Sequence, residues 1–258
     1  SYVKNEIKNL GNQTGYIDKE SLPTLGTVSR NENGYPIGYF FGYKAIGVFQ
    51  TQEEIDSYIS PATGKPIQPN AAPGDTKFED LNGDGVISDD NEDRTMIGKP
   101  NPDWMVGLTV AADWNGFDLS AFFQGSFGAD VFDALRRYEL AAVNYTSDAL
   151  ERWTGPGTSN SMPRIVLGDT PKNFRPSTLL VHDASFLRLR NLQVGYTLPA
   201  QLTRKAYIQR LRFYASFDNL LTITGYKGMD PEIGSTMGID KGVYPQARVY
   251  TFGLNLTF

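Results

Sequence analysis

From Arg248 to Phe258 the chain alternates without a break. Tyr250, Phe252, Leu254, Leu256 and Phe258 point one way, and Thr251, Gly253, Asn255 and Thr257 point the other. A strand of this length that is apolar on one face and small or polar on the other suits a bilayer, which a tilted strand crosses in about 9 to 11 residues. The pattern recurs upstream. In Trp104–Trp114 the stripe Trp104, Val106, Leu108, Val110, Ala112 and Trp114 alternates with Met105, Gly107, Thr109, Ala111 and Asp113. Tryptophan at both ends fits rings held at the two headgroup levels. Asn115-Gly116 supplies the positive φ angles of a type I′ hairpin. The return run sets Phe117, Leu119, Ala121, Phe123 and Phe127 against Asp118, Ser120, Phe122, Gln124 and Ser126.

Two further segments repeat this logic. Phe186–Leu198 carries Leu192, Val194, Tyr196 and Leu198 on the face that, further up, holds Arg188 and Arg190. Leu211, Phe213, Ala215, Phe217, Leu221 and Ile223 alternate with Arg212, Tyr214, Ser216, Asp218, Thr222 and Thr224. Tyr2–Leu10 and Tyr39–Gln50 are weaker candidates, which brings the expected total to about seven strands. The connections alternate in length: residues 51–103, 128–185 and 225–246 are long, 115–116 short and 199–210 moderate. Outer-membrane barrels have short periplasmic turns and long extracellular loops. Strand parity puts residues 11–38 on the short-turn side despite their length. Short helices are expected at Thr51–Ser60, where Thr51 and Glu54 have capping-box spacing, and at Ser147–Trp153.

Composition agrees with an all-β membrane wall and narrows the alternatives. No run of about 18 apolar residues is present, so no helix would span a bilayer, yet strand alternation averages to near-neutral hydropathy; the mean hydropathy is −0.36. Net charge is −5, with no long basic run, and no nucleic-acid partner is expected. With no cysteine in 258 residues, disulfides and thiolate chemistry are excluded. The start, Ser1-Tyr2-Val3-Lys4-Asn5, has no signal-peptide pattern, so the chain is expected to be a fragment. Seven strands would leave unpaired edges in lipid, where each unmet backbone group costs several kcal/mol. The alternative is a soluble sandwich, which would need a second apolar layer in place of the Thr, Ser, Asn, Gln and Gly facing inward.

Asp80-Leu81-Asn82-Gly83-Asp84-Gly85-Val86-Ile87-Ser88 matches the first half of a calcium-loop pattern, with Asp80, Asn82, Asp84, Val86 and Ser88 at ligand positions. The twelfth position, where a bidentate carboxylate would close the site, is Asn91. A structural calcium is one expectation; a turn held by its own side chains is the other. His182, the only histidine, stands beside Asp183 and near Ser185, but no nucleophile elbow or oxyanion loop accompanies them, so no active site is expected. Tyr138, Tyr145, Trp153, Tyr226 and Tyr244 in the long loops could stack on sugars or peptides, although for any single one the favoured role is to anchor its loop by packing.

Several segments together resemble the SusC/RagA-type TonB-dependent outer-membrane transporters. They are Pro36-Ile37-Gly38-Tyr39-Phe40-Phe41-Gly42-Tyr43, Pro73-Gly74-Asp75 leading into Asp80–Gly85, Arg94–Gly98, Phe117–Gly125, Arg152-Trp153-Thr154-Gly155, Phe186–Leu192, Gly195–Pro199, Asp218-Asn219-Leu220, Asp230-Pro231-Glu232 and the closing strand. The resemblance spans nearly the whole chain and implies that residues 1–258 are the carboxyl-terminal part of a 22-stranded barrel plugged by an amino-terminal domain. It implies import of oligosaccharides or oligopeptides driven through TonB, a SusD-like surface lipoprotein docked on the long loops, and Phe258 as the signal for barrel assembly. The acidic stretch Ser88–Asp93 departs from the family pattern. The competing reading is a secreted, calcium-stabilised β-sandwich that binds glycans.

Overall fold

Alternating residues with β-branched and aromatic side chains favour pleated strands, and a two-residue turn with both φ angles positive folds the first pair back on itself. Asn115 and Gly116 have φ of 49° and 84°, as that turn requires. The structure, a computed structural model, describes residues 1–23, 25–89, 92–136, 144–232 and 237–258. Its largest element is an antiparallel meander of five strands: β1 (Trp104–Trp114), β2 (Phe117–Phe127), β3 (Phe186–Thr197), β4 (Arg210–Thr224) and β5 (Val249–Thr257), paired in chain order.

Among the described residues five strands of this kind form, where about seven are expected from the alternation. Tyr39–Gln50 does not cross beside them, because Tyr39–Tyr43 is buried along its whole length in a separate four-stranded sheet with Tyr16–Asp18, Ser29–Glu32 and Arg94–Gly98. Tyr2 makes a single bridge to Trp104, Ser1 exchanges backbone hydrogen bonds with Met105, and Val3 N donates to Asp103 O. Residues 1–3 therefore touch the edge of β1, and the chain between them and β1 is one excursion from a single end of the sheet.

That excursion corrects the position of residues 11–38. Leu22 and Val28 are buried with Phe40, Phe132, Leu180 and Ile239, which belong to the long connections. The segment lies on the long-loop side, and strand parity misplaced it because Tyr39–Gln50 is not a membrane-type strand. Burying each of these large side chains contributes about 1.5 to 3 kcal/mol. The loop body is knitted further by Asp130–Asp133, which pairs antiparallel with Val181–Asp183 and parallel with Ile239–Asp240. Both expected helices form. Gln52–Ser57 is capped by Thr51, whose hydroxyl accepts from Glu54 N, and Ser147–Glu151 is a 3₁₀ turn.

At the opposite end the sheet closes by the 115–116 turn and by residues 198–209, which contain a helical turn at Ala200–Thr203 and a 3₁₀ turn at Arg204–Ala206. No helix among the described residues is long and apolar enough to cross a membrane.

Candidate functional site: a two-faced wall and its charge network

The register sorts the side chains into two faces. Across the sheet, Trp114, Phe117, Tyr196, Phe213 and Leu254 lie in one row. Val110, Ala121, Leu192, Phe217 and Tyr250 lie in another, and Leu108, Phe123, Leu189 and Leu221 in a third. Every row on this face is apolar. Among the described residues nothing covers it: β1 is exposed along its whole length, and Trp114, Phe252 and Leu254 are 76%, 76% and 58% exposed. A sandwich would bury such a face under a second sheet, and no second sheet packs there.

Arg188 and Arg190 depart from the sequence reading, which set them on the face of Leu192 and Val194. An irregularity between Leu189 and Asn191 leaves Arg190 alone opposite Asn219 and Leu220 of β4, and the same residue is extra against Phe122 and Phe123 of β2. A bulge shifts the alternation by one residue. Leu187 and Leu189 thereby join the apolar face, and Arg188 aligns with Gln124 and Thr222 on the polar one. Asn219 takes φ of 53° at the bulge, a left-handed conformation that asparagine tolerates well.

The polar face carries a charge network. Arg188, 2% exposed, donates to Thr222 Oγ1 (2.9 Å), Asp230 Oδ1 (2.5 Å) and Glu232 Oε2 (3.0 Å). Arg190 donates to Gln124 Oε1 (2.6 Å), Asn219 Oδ1 (3.2 Å) and both oxygens of Glu232 (2.6 Å). Asp230-Pro231-Glu232 thus pins the 225–248 connection onto the wall. Asp230 also accepts from Glu232 N and Gln246 N. Burial alone would raise its pKa, but these N–H groups and Arg188 outweigh it and hold the carboxyl below its ordinary 3.8. Lower on the same face Asp118 of β2 and Arg212 of β4 form a bidentate pair (2.8 and 2.5 Å) across β3. The intervening residue is Gly195, where a Cβ would fall 2.4 Å from Asp118 Oδ2.

The loop body has its own anchors. Asp75, 2% exposed, receives both Arg164 Nε (2.6 Å) and Nη2 (3.1 Å) and also Asn173 Nδ2 (3.1 Å). Gly74 beside it has φ of +92°, and its Cα lies against the Trp153 ring, which a Cβ would meet at 2.4 Å. Trp153 Nε1 donates to Gln50 Oε1 (3.1 Å). Trp153 therefore anchors a loop. So does Tyr226, buried with Val131 and Ala184 and donating to Asp240 Oδ2 (2.7 Å); burial and that carboxylate push its phenol well above the ordinary range. Tyr145 and Tyr244 are exposed. Tyr138 lies outside the described residues.

In the acidic loop, Asp80 accepts from Gly83 N (2.8 Å) and Gly85 N (2.9 Å), Asn82 Oδ1 from Asp84 N (3.0 Å), and Asp84 Oδ1 from Val86 N (2.8 Å). Ser88 N donates to Asp93 Oδ2 (3.0 Å). Asn91 lies outside the described residues, and among those described no group of three acidic, His or Cys side chains gathers. The residues present form a self-closed turn, and a calcium ion would have to share oxygens already engaged by backbone N–H groups.

His182, Asp183 and Ser185 do not assemble into a trio. Asp183 accepts from Ser185 N, Ser185 Oγ accepts from Gly128 N, and His182 Nε2 stands 3.9 Å from Asp133. Burial, aided by Arg136, lowers the His182 pKa below its ordinary 6.5. Arg188, Arg190, Asp230, Glu232 and Asp75 all fall within the sequence motifs, but nothing in the sequence joins them. The available sign was the scarcity of carboxylates close to two arginines in a strand, which demands partners from elsewhere.

A single sheet with one bare apolar face framed by tryptophan and one polar face crossed by ion pairs, short turns at one end and a folded loop body at the other, is a section of a transmembrane β-barrel wall. The relatives of the chain agree. It is 34% identical over 236 residues to TonB-dependent receptor P3 of Formosa agariphila, covering 87% of this chain and 22% of that protein. It is 30% identical over 257 residues to TonB-dependent receptor SusC of Bacteroides thetaiotaomicron, covering 98% of this chain and 23% of that protein. Among solved structures, the RagAB peptide importer in its open-open state matches with TM-score 0.70 and 26% identity, over 98% of this chain and 25% of the matched chain. No protein-family model matches the chain. The chain belongs to the SusC/RagA family of TonB-dependent receptors. It spans about a quarter of the length of the relatives it matches.

Proposed function

We propose that this chain is part of a transporter that imports oligomeric nutrients across the outer membrane, powered through TonB. The observation that carries this reading is the two-faced sheet: an uncovered apolar face suited to lipid, backed by a polar face suited to a plugged lumen. The open edges of β1 and β5 would be completed by further strands of a 22-stranded barrel, because unpaired edges are too costly in hydrocarbon. The loop body would stand outside the cell, where it offers a SusD-like lipoprotein a folded docking surface. Oligosaccharides and oligopeptides are the two cargo classes, and the peptide-importer relative favours the second. Phe258, exposed at the end of the last strand, would be read by the assembly machinery. For Asp80, Asn82, Asp84, Val86 and Ser88 a bracing calcium is proposed as a loop stabiliser, without a role in transport.

The test is fractionation and uptake with the full-length gene product. The transporter reading expects a heat-modifiable outer-membrane protein that is co-purified with a lipoprotein and needed for growth on an oligomeric nutrient in a TonB-dependent manner. Recovery of the native product as a soluble, detergent-independent monomer would overturn it in favour of a glycan-binding module.

A further inference from the structure

The loop body stacks cations between aromatic rings. The Arg30 guanidinium lies 4.1 Å from the Tyr16 ring centre and 3.6 Å from that of Phe41, with Arg94 over Phe41 at 4.3 Å. Arg175 lies 4.8 Å from Tyr43 and 4.9 Å from Phe78. Stacking of this kind holds a guanidinium in place; the edge of Arg30 is taken by Asp18, and Arg94 Nη2 donates to the carbonyls of Thr27 and Phe41. Arg94, Lys172 and Arg175 line one cavity of about 530 Å³ together with Tyr43 and Asp89. Asp89, Lys172 and Arg175 also line a neighbouring cavity of about 630 Å³, so these three residues stand where two open spaces meet.

The charges at this junction are unequal. Asp169, the other acidic residue among the described ones at the first cavity, accepts from Asn173 N (2.8 Å) and Phe174 N (2.9 Å). Asp89 meets two of the cations: Lys172 Nζ donates to it, and Arg175 Nη1 stands 3.8 Å from its Oδ1. Arg175 Nε donates to Lys172 O (3.2 Å), whereas its Nη1 is buried without a hydrogen-bond acceptor. Asp89 and Lys172 are 68% and 51% exposed at the side chain, so the pair can open toward solvent with little loss, as exposed ion pairs do.

Building on the transport reading, we propose that Lys172 and Arg175 form a carboxylate-binding subsite for cargo, with Asp89 as an internal placeholder. A ligand carboxylate displaces the Asp89 side chain and accepts from Lys172 Nζ and Arg175 Nη1, and Arg94 adds a third positive charge nearby. The carboxylate could belong to an acidic peptide or to a uronate-containing oligosaccharide; the chemistry recognised is the same.

The test is calorimetric titration of the detergent-purified full-length transporter with four probes: an acidic tetrapeptide, its amidated neutral form, a galacturonate trimer and a galactose trimer. One acidic probe is expected to bind at least about tenfold more tightly than its neutral counterpart, the worth of one charge-assisted hydrogen bond. Whichever pair shows the difference names the source. Lys172→Ala should lower that affinity about tenfold and Asp89→Asn should raise it, the opposite sign that removal of a competitor requires. Both changes are at exposed side chains, and unchanged thermal midpoints would show that folding is intact. Equal binding of acidic and neutral probes, or affinities indifferent to both substitutions, would overturn the subsite. Uptake by wild-type cells separates the two readings: loss of uptake of every probe defeats the transporter, whereas uptake with charge-blind binding defeats only the subsite.

Discussion

Replacing Arg188 with methionine keeps most of the side-chain volume and removes the charge that holds Asp230. In the native structure Arg188 is buried and Asp230 is 8% exposed at its side chain. The substitution strands a buried carboxylate, and breaking one side of a buried ion pair costs about 3 to 5 kcal/mol. Two contacts soften the loss. Asp230 retains the Glu232 and Gln246 N–H groups, and Glu232 retains Arg190. The expected cost is therefore at the lower end, about 3 kcal/mol, or more than a hundredfold in the docked-to-undocked ratio of the 225–248 connection. Hydrogen exchange in that segment of the full-length protein, read by mass spectrometry, reports the ratio directly. Asp230→Asn should cost less alone, because its amide oxygen can still accept. The double substitution should fall short of the sum by at least about 1 kcal/mol, since the two residues share one network. A cost for Arg188→Met under about 0.5 kcal/mol, or strict additivity with Asp230→Asn, would refute the view that Asp230-Pro231-Glu232 is docked by these arginines.

The remaining predictions concern neighbouring features. Gly195→Ala places a Cβ 2.4 Å from Asp118 Oδ2 and 2.5 Å from Arg212 Nη2; the ends of those side chains can give, so a loss of about 1 kcal/mol is expected in urea unfolding, and an unchanged midpoint would mean the pair does not bridge β3. The depressed Asp230 pKa means that its stabilisation is complete above the ordinary 3.8 and is lost as pH falls below it through the folded value. Exchange in the 225–248 connection, corrected for intrinsic rate, should therefore be flat from pH 7 to 5 and accelerate only as the pH falls below the ordinary carboxylate value of 3.8; a flat profile throughout would contradict the anchoring role. Calcium should protect residues 80–88 from proteolysis with half-effect between about 10⁻⁴ and 10⁻³ M, the range of extracellular modules, and Asp84→Asn should abolish that protection. Identical cleavage with calcium and with chelator would leave the loop as an Asx-type turn.

The membrane-facing part of the fold was legible because it is written in single residues at period two. Trp104–Trp114 and Phe117–Phe127 form with the bounds their alternation defines, and the Asn115-Gly116 turn between them follows from backbone sterics. The helix at Gln52–Ser57 follows from Thr51 and Glu54 alone. Alternation failed where burial is total: Tyr39–Tyr43 is apolar on both faces because it lies inside the loop body, not because it spans lipid. It failed again at Arg188, since a bulge of one residue is set by the opposing strand and leaves no mark in the strand's own sequence.

The charge network shows the division most clearly. Sequence by itself determined that the chain builds an apolar stripe one strand at a time, that the connections alternate between short and long, and that arginines in a strand need acidic partners, because propensity, turn chemistry and charge act over a few residues. Only the tertiary structure decided that Asp230 and Glu232, more than forty positions away, are those partners, that Gly195 is small so Asp118 can reach Arg212, and that Leu22, Phe132 and Ile239 share one core. Those pairings depend on which connections fold against each other, a choice made by packing among distant segments and not by any local pattern.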